Sequence, residues 1–187
     1  MINNLEGKMS YTIHKGRPTD TSERTQKELQ TYDLLDELKI EYLRIDHEPL
    51  ETMEACKKVD EIFKTSMCKN LFLCNAQKTK FYLLLMPGDK KFKTKDLSKQ
   101  IGSARLSFGP FEDMERLLCL TPGSVSVMGL IFDRENQVQL IIDQELLEEP
   151  YLVCHPCINT SSIRLRTEDV IDKFLPRLGH EAIIVKL

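Results

Sequence analysis

The sequence predicts an α/β (α+β) fold: a mixed β-sheet with helices packed around it. Three observations predict it. Strand and helix patterns interleave irregularly, with hairpins beside crossover helices, unlike the strict alternation of a doubly wound sheet. The segments Cys68 to Cys74 and Phe81 to Met86 are almost continuously apolar and flank the turn Asn75-Ala76-Gln77-Lys78. That combination reads as a hairpin buried on both faces. The 187 residues are 41% hydrophobic and 29% charged, enough to build one compact core, with or without an extension.

Residues 1–20 show no periodicity and read as a flexible N-terminal extension, leaving 21–187 as the domain. Thr21 or Ser22 caps a first helix, with Leu29, Tyr32, Leu35 and Leu38 recurring at three-residue intervals; it ends before Ile40. Tyr42 to Ile45 is a strand. Thr52 begins a short helix that offers Met53, Ala55 and Val59 as apolar contacts. After the hairpin, Thr94 caps a helix through Leu97 to Ile101, stopped by Gly102. Arg105 to Phe108 is extended, Phe111 to Leu118 helical, and Thr121-Pro122-Gly123-Ser124 a turn. Val138 to Ile142 is a buried strand, followed by strands at Tyr151 to Cys154 and Ser161 to Leu165. Thr167 starts the last helix, with Val170, Ile171, Phe174 and Leu178 as its apolar face and Gly179 as its end. Ala182 to Val185 is a final strand. No internal repeat is present.

The net charge of -3 argues against a generally basic nucleic-acid binder. Any tRNA contact needs a local patch, for which Lys90, Lys91, Lys93 and Lys95, backed by Lys99 and Arg105, are the candidates; the plainer reading is a solvated face. No Trp is present, so stacking platforms for single strands are poor. No apolar run is long enough to span a membrane, and no signal-peptide pattern opens the chain, so a cytoplasmic location is expected. The six cysteines fit reduced, buried thiols. Cys154-His155-Pro156-Cys157 has redox spacing, but another strand follows it where a thioredoxin-like site would open a helix. Cys68 and Cys74 lie six residues apart within a strand, which is not zinc-knuckle spacing. P-loop, dinucleotide-binding and nucleophile-elbow motifs are absent. His14 falls in the extension, and His180 follows Gly179 where a capping role suffices.

Several segments, taken in order, resemble one family. They are Asp46-His47-Glu48-Pro49, Cys68-Lys69-Asn70-Leu71-Phe72-Leu73, Arg105-Leu106-Ser107-Phe108, Leu120-Thr121-Pro122-Gly123-Ser124-Val125-Ser126, Gly129-Leu130, His155-Pro156 with Asn159-Thr160, and Gly179-His180. Together they resemble the YbaK/ProX family of aminoacyl-tRNA deacylases, in particular its free-standing ProX-type members, over about residues 22 to 187. The resemblance implies a partly barrel-like sheet, the editing-domain fold. It implies hydrolysis of the ester between an amino acid and the terminal adenosine of tRNA, most simply alanine on proline tRNA, with cysteine on proline tRNA as a further alternative. It implies tRNA as partner, with prolyl-tRNA synthetase as a second one. No cofactor, metal, membrane or DNA is called for.

Such an ester is already activated, so hydrolysis needs orientation, a placed water and oxyanion donors more than a side-chain nucleophile. The terminal ribose hydroxyl can help to place the water. With the resemblance in hand, Lys69, Asn70, Gly123, Ser124 and His155 are the candidate catalytic residues. Lys69 holds the tRNA end as a point charge, Asn70 orients a carbonyl or hydroxyl, and Gly123 and Ser124 offer backbone N–H groups. His155 faces the ester. His47, Arg105, Ser107, Met128, Gly129, Leu130, Ile158 and Asn159 are the candidate substrate-binding residues, with Met128, Leu130 and Ile158 as the walls of an alanine-sized pocket. Glu48, Cys119, Val127-Met128, Cys157 and Ser161-Ser162 depart from the family pattern, and they bear on the aminoacyl pocket more than on the reaction. Two other classes stay open: a non-catalytic aminoacyl-tRNA or amino-acid binding module, and a thiol–disulfide protein using Cys154 and Cys157.

Overall fold

A computed structural model describes residues 11–50 and 53–187. Two sheets carry the fold. Strands β1 (Ile13–Lys15), β2 (Tyr42–Asp46), β7 (Tyr151–Cys154) and β8 (Ser161–Arg166) form an antiparallel sheet in the order β1-β2-β8-β7. Strands β3 (Lys69–Asn75), β4 (Phe81–Met86), β5 (Leu106–Phe108), β6 (Val138–Asp143) and β9 (Ala182–Val185) form the second in the order β5-β3-β4-β6-β9. This sheet is mixed: β3 pairs antiparallel with β4 and β5, whereas β4–β6 and β6–β9 are parallel. The two sheets meet at one seam, where the Cys68 N–H donates to the Val153 carbonyl at 3.2 Å. That seam gives the architecture its partly barrel-like character.

Alternation along each strand explains the layers. On β3, Phe72 and Cys74 enter the main core between the sheets, while Leu71 and Leu73 turn to the other face, where Leu97 of helix α3 (Thr94–Gln100) covers them. The continuous apolar run of β4 follows from burial on both faces, as the sequence predicts. On the first sheet, Ile163, Leu165 and Cys154 face the main core; Ile45 and Val153 face outward under Val59 and Phe63 of helix α2 (Met53–Phe63). Helix α1 (Gln26–Glu37) adds Tyr32 and Leu35 to the main core, and α4 (Phe111–Leu118) adds Met114, Leu117 and Leu118. A short helix α5 (Gln144–Glu148) follows β6. Residues 167–178 form a last helical run, α6, whose middle turn, Val170–Phe174, is π-helical. The His180 N–H closes its end on the Leu175 carbonyl at 3.1 Å.

Several boundaries move. Thr25 caps α1, its hydroxyl accepting from the Glu28 N–H; Ser22 is instead bonded to Asp20 through both its N–H and its hydroxyl. Thr94 is the first helical residue of α3, not its cap, and Lys93 precedes it. β1 pairs antiparallel with β2, so the segment expected to be a loose extension carries a sheet strand at residues 13–15; its first ten residues lie outside the described ones, as does Thr52. The sequence reading also lacks the 3₁₀ turns of Val127–Phe132 and helix α5. Among the described residues, no helix is long and apolar enough to cross a membrane.

Candidate active site

A cavity of about 400 Å³ opens at the seam of the two sheets. Three elements border it: the start of β3, the loop leaving β7, and the middle of α2, through Cys56, Lys57 and Asp60. The Thr121–Ser124 turn and the Pro87–Lys90 turn close its rim. Lys69, Asn70, Gly123 and His155, four of the five candidate catalytic residues, line it.

His155 follows β7 directly and is 7% exposed. Its Nδ1 lies 2.8 Å from the Ser161 carbonyl. A carbonyl can only accept, so Nδ1 carries the proton and Nε2 keeps its lone pair. Burial pushes the pKa of His155 down to about 4, against the opposing pull of that carbonyl. The ring is therefore neutral at physiological pH. Behind it stands His47, whose Nδ1 donates to the Glu48 carbonyl at 2.8 Å and whose Nε2 accepts from the Ser162 hydroxyl at 2.8 Å. The Ser162 oxygen lies 3.5 Å from His155 Nδ1, and the two rings meet edge to face at 6.1 Å. Burial lowers the pKa of His47 as well.

Lys69 donates its ammonium to the Lys90 carbonyl at 2.7 Å. The Lys90 side chain is itself fixed by Asp143 at 2.8 Å and Glu145 at 2.9 Å, and Asp143 is fully buried. The Lys69 charge is thus held at the rim by backbone whose position an ion-pair cluster sets. Gly123 occupies the left-handed region, φ +85°, at the third position of the Thr121–Ser124 turn. Its N–H takes no partner among the described residues.

Other expected residues do different work. Asn70 is fully engaged: Oδ1 accepts from the Val127 N–H at 2.9 Å and Nδ2 donates to the Cys68 carbonyl at 3.2 Å. It ties the 3₁₀ segment to β3. Ser124 is 1% exposed; its N–H donates to the Thr121 carbonyl at 3.0 Å and its hydroxyl to the same oxygen at 2.9 Å, so it stabilises the turn. His47 supports His155 from behind and does not border the cavity. Met128, Gly129 and Leu130 are buried in the main core. A Cβ on Gly129 would sit 2.5 Å from Leu120 Cδ1, so this position serves close packing. Arg105 and Ser107 lie at β5, which pairs with the far end of β3, roughly 15 Å along the strand from Lys69. Ile158 is half-buried outside the cavity lining; Asn159 packs its amide against the Gly123 turn.

The cavity walls come instead from Met67, Leu71 and Val125, with Cys68 and Cys154. Asp60 of α2 contributes a carboxylate. No sequence signal singled out Asp60 or Met67; the packing of α2 across the seam, and the loop from α2 to β3, bring them in. Burial pushes the Cys68 thiol up to about 11, Cys157 up to about 12 and Cys154 well above its ordinary value, the reverse of what a redox pair needs. Of the basic patch, Lys91, Lys93, Lys95 and Lys99 are exposed, whereas Lys90 is committed to Asp143 and Glu145.

Comparison with known proteins identifies the family and the fold. Residues 47–173 match the aminoacyl-tRNA editing domain family. The prolyl-tRNA editing protein ProX of Acetoanaerobium sticklandii is 36% identical over 153 residues, covering 82% of this chain and 93% of that protein. Prolyl-tRNA synthetase associated domain-containing protein 1 of Xenopus laevis is 28% identical over 164 residues, covering 86% of this chain and 95% of that protein. A solved structure proposed to be a trans-editing enzyme for prolyl tRNA synthetase superposes with a TM-score of 0.64 at 13% identity, covering 87% of this chain and 98% of that one; it shares the fold. The chain belongs to the aminoacyl-tRNA editing domain family, and its activity is that of an aminoacyl-tRNA deacylase, an ester hydrolase.

Proposed function

We infer that this member of the aminoacyl-tRNA editing family acts in trans on mischarged proline tRNA and that alanine is the amino acid it removes. The observation that carries the reading is the convergence of Lys69, Gly123 and His155 on one cavity, in a chain 36% identical to a prolyl-tRNA editing protein. In this reading Lys69 holds the acceptor end, its ammonium set at the rim by the Lys90 carbonyl. The ester carbonyl points at the Gly123 N–H, which stabilises the oxygen as it gains charge. A water oxygen adds to the carbonyl carbon, the bond to the ribose oxygen breaks, and the water proton passes to that leaving oxygen. The neutral His155 is a weak base, so its Nε2 lone pair orients the water or the terminal ribose hydroxyl, and the substrate's own hydroxyl helps to place the water. Met67, Leu71 and Val125 confine the side chain to a small group, since a pocket excludes by size far better than it rejects smaller ligands.

Purified protein is expected to release alanine from alanyl-tRNA(Pro) faster than cysteine from cysteinyl-tRNA(Pro), and to leave prolyl-tRNA(Pro) intact. Faster cysteine release would reassign the amino acid. No release from any mischarged proline tRNA would overturn the reading.

A further inference from the structure

Asp60 has no place in the chemistry described so far, yet it borders the cavity. It sits half-buried in the last turn of α2. One carboxylate oxygen accepts from the Met67 N–H at 2.7 Å, which presets the plane of the group. The same loop is fixed from both sides. The Thr65 N–H donates to the Asp60 carbonyl at 3.2 Å, and the Met67 carbonyl packs so closely on Gly88 that a Cβ there would lie 2.2 Å away. The second carboxylate oxygen has no partner among the described residues. Lys57 and Lys64 stand three and four positions away in sequence, but neither is ion-paired with Asp60. Burial raises the pKa of Asp60, as expected for a carboxylate taken from water without a cation to offset the loss.

An aminoacyl ester differs from other esters of the same ribose by one feature, its α-ammonium group. The described cavity lining carries two carboxylates, Asp60 and Asp89, and Asp89 is exposed on the rim turn. Only Asp60 combines shelter, a preset orientation and an open oxygen. A charge-assisted hydrogen bond in such a setting is about twice as strong as a neutral one. We propose that Asp60 is the receptor for the α-ammonium of the aminoacyl group, so that the site selects α-amino esters over α-hydroxy esters of the same size. The assignment rests on the deacylase reading given above.

The test compares two esters of the same proline tRNA. One is alanyl; the other is lactyl, in which a hydroxyl replaces the ammonium. The variant is Asp60→Asn, whose amide oxygen can still accept from the Met67 N–H. For each ester the variant's kcat/KM is divided by that of the wild type. The expected ratio is a fall of about 10- to 100-fold for the alanyl ester and a change within about twofold for the lactyl ester, whose continued hydrolysis reports an intact fold. Equal loss on both esters, or no loss on either, would overturn the proposal. Wild-type protein that hydrolyses neither ester would instead refute the deacylase reading itself.

Discussion

Two walls of the site, one mostly behind the cavity lining and one on it, use similar polar residues and differ in how completely those residues are bonded inside the protein. Along the 3₁₀ wall, Asn70 bonds the Val127 N–H and the Cys68 carbonyl, Ser124 bonds Thr121 through both backbone and side chain, and the Ser126 hydroxyl accepts from the Met128 N–H at 3.2 Å. Along the seam wall, Asp60 holds one bond through Oδ1 and His155 one through Nδ1, each leaving a second polar atom open, while Lys69 keeps further donors beyond its bond to Lys90. The lesson is general. A buried polar group whose capacity is filled fixes the frame, and its loss is felt as stability. A group fixed at one atom and open at another is preorganised, and its loss is felt at the substrate.

The contrast breaks first, if it breaks, on the closed wall. Gly129→Val should cost about 3 kcal/mol, because the added branch overlaps Leu120 and Leu118 in a packed core. Denaturant unfolding measures it, and the fraction that stays folded should keep its turnover. A variant of unchanged midpoint would mean that the 3₁₀ segment moves freely and defines no wall. Asn70→Ala should cost about 2 kcal/mol, since it leaves the Val127 N–H without its acceptor. If that variant kept full stability but lost deacylation, Asn70 would cross to the open wall. Lys69→Ala should do the opposite of both. Deacylation falls at least about tenfold, or about 1.4 kcal/mol in barrier, while unfolding shifts by no more than about 0.5 kcal/mol.

The same distinction explains what could be read from the sequence. Apolar periodicity places β4, α4, β7 and β9 at their observed bounds, because burial on fixed faces leaves a pattern in the residues themselves. Thr121-Pro122-Gly123-Ser124 is equally readable, since a turn of this type needs Gly at its third position. The family resemblance brings Lys69 and His155 to one site. What stays hidden is whether a polar residue is closed or open. Asn70 and Lys69 are neighbours on one strand, and only the facing of β3 toward the 3₁₀ segment on one side and toward Lys90 on the other separates their roles. Met128 and Leu130 look like pocket walls next to a Gly, yet Gly129 is there to let them pack into the core. Asp60 leaves no local mark because its role comes from a helix crossing a seam between sheets.

His155 allows the finest test, because its open and closed atoms respond to the same proton. The folded protein holds its pKa near 4, while an unfolded chain returns it to its ordinary 6.5. Between those two values the unfolded chain binds more protons, so the free energy of unfolding falls as pH falls. The loss begins below about 6.5 and ends near 4, where both states are protonated. Within that window one such group contributes a slope of at most about 1.4 kcal/mol per pH unit. His155→Gln, which keeps an amide donor for the Ser161 carbonyl, should flatten the curve by that component and leave the share due to His47 and His180, also lowered by burial. Catalysis gives the matching half of the test. If Nε2 works as an open lone pair, kcat/KM shows no His155 step near pH 6.5, because the ring is already neutral there. A step near 6.5 that disappears in His155→Gln would mean that His155 titrates as a solvated base, and the seam wall would then lack the preorganisation that separates it from the other.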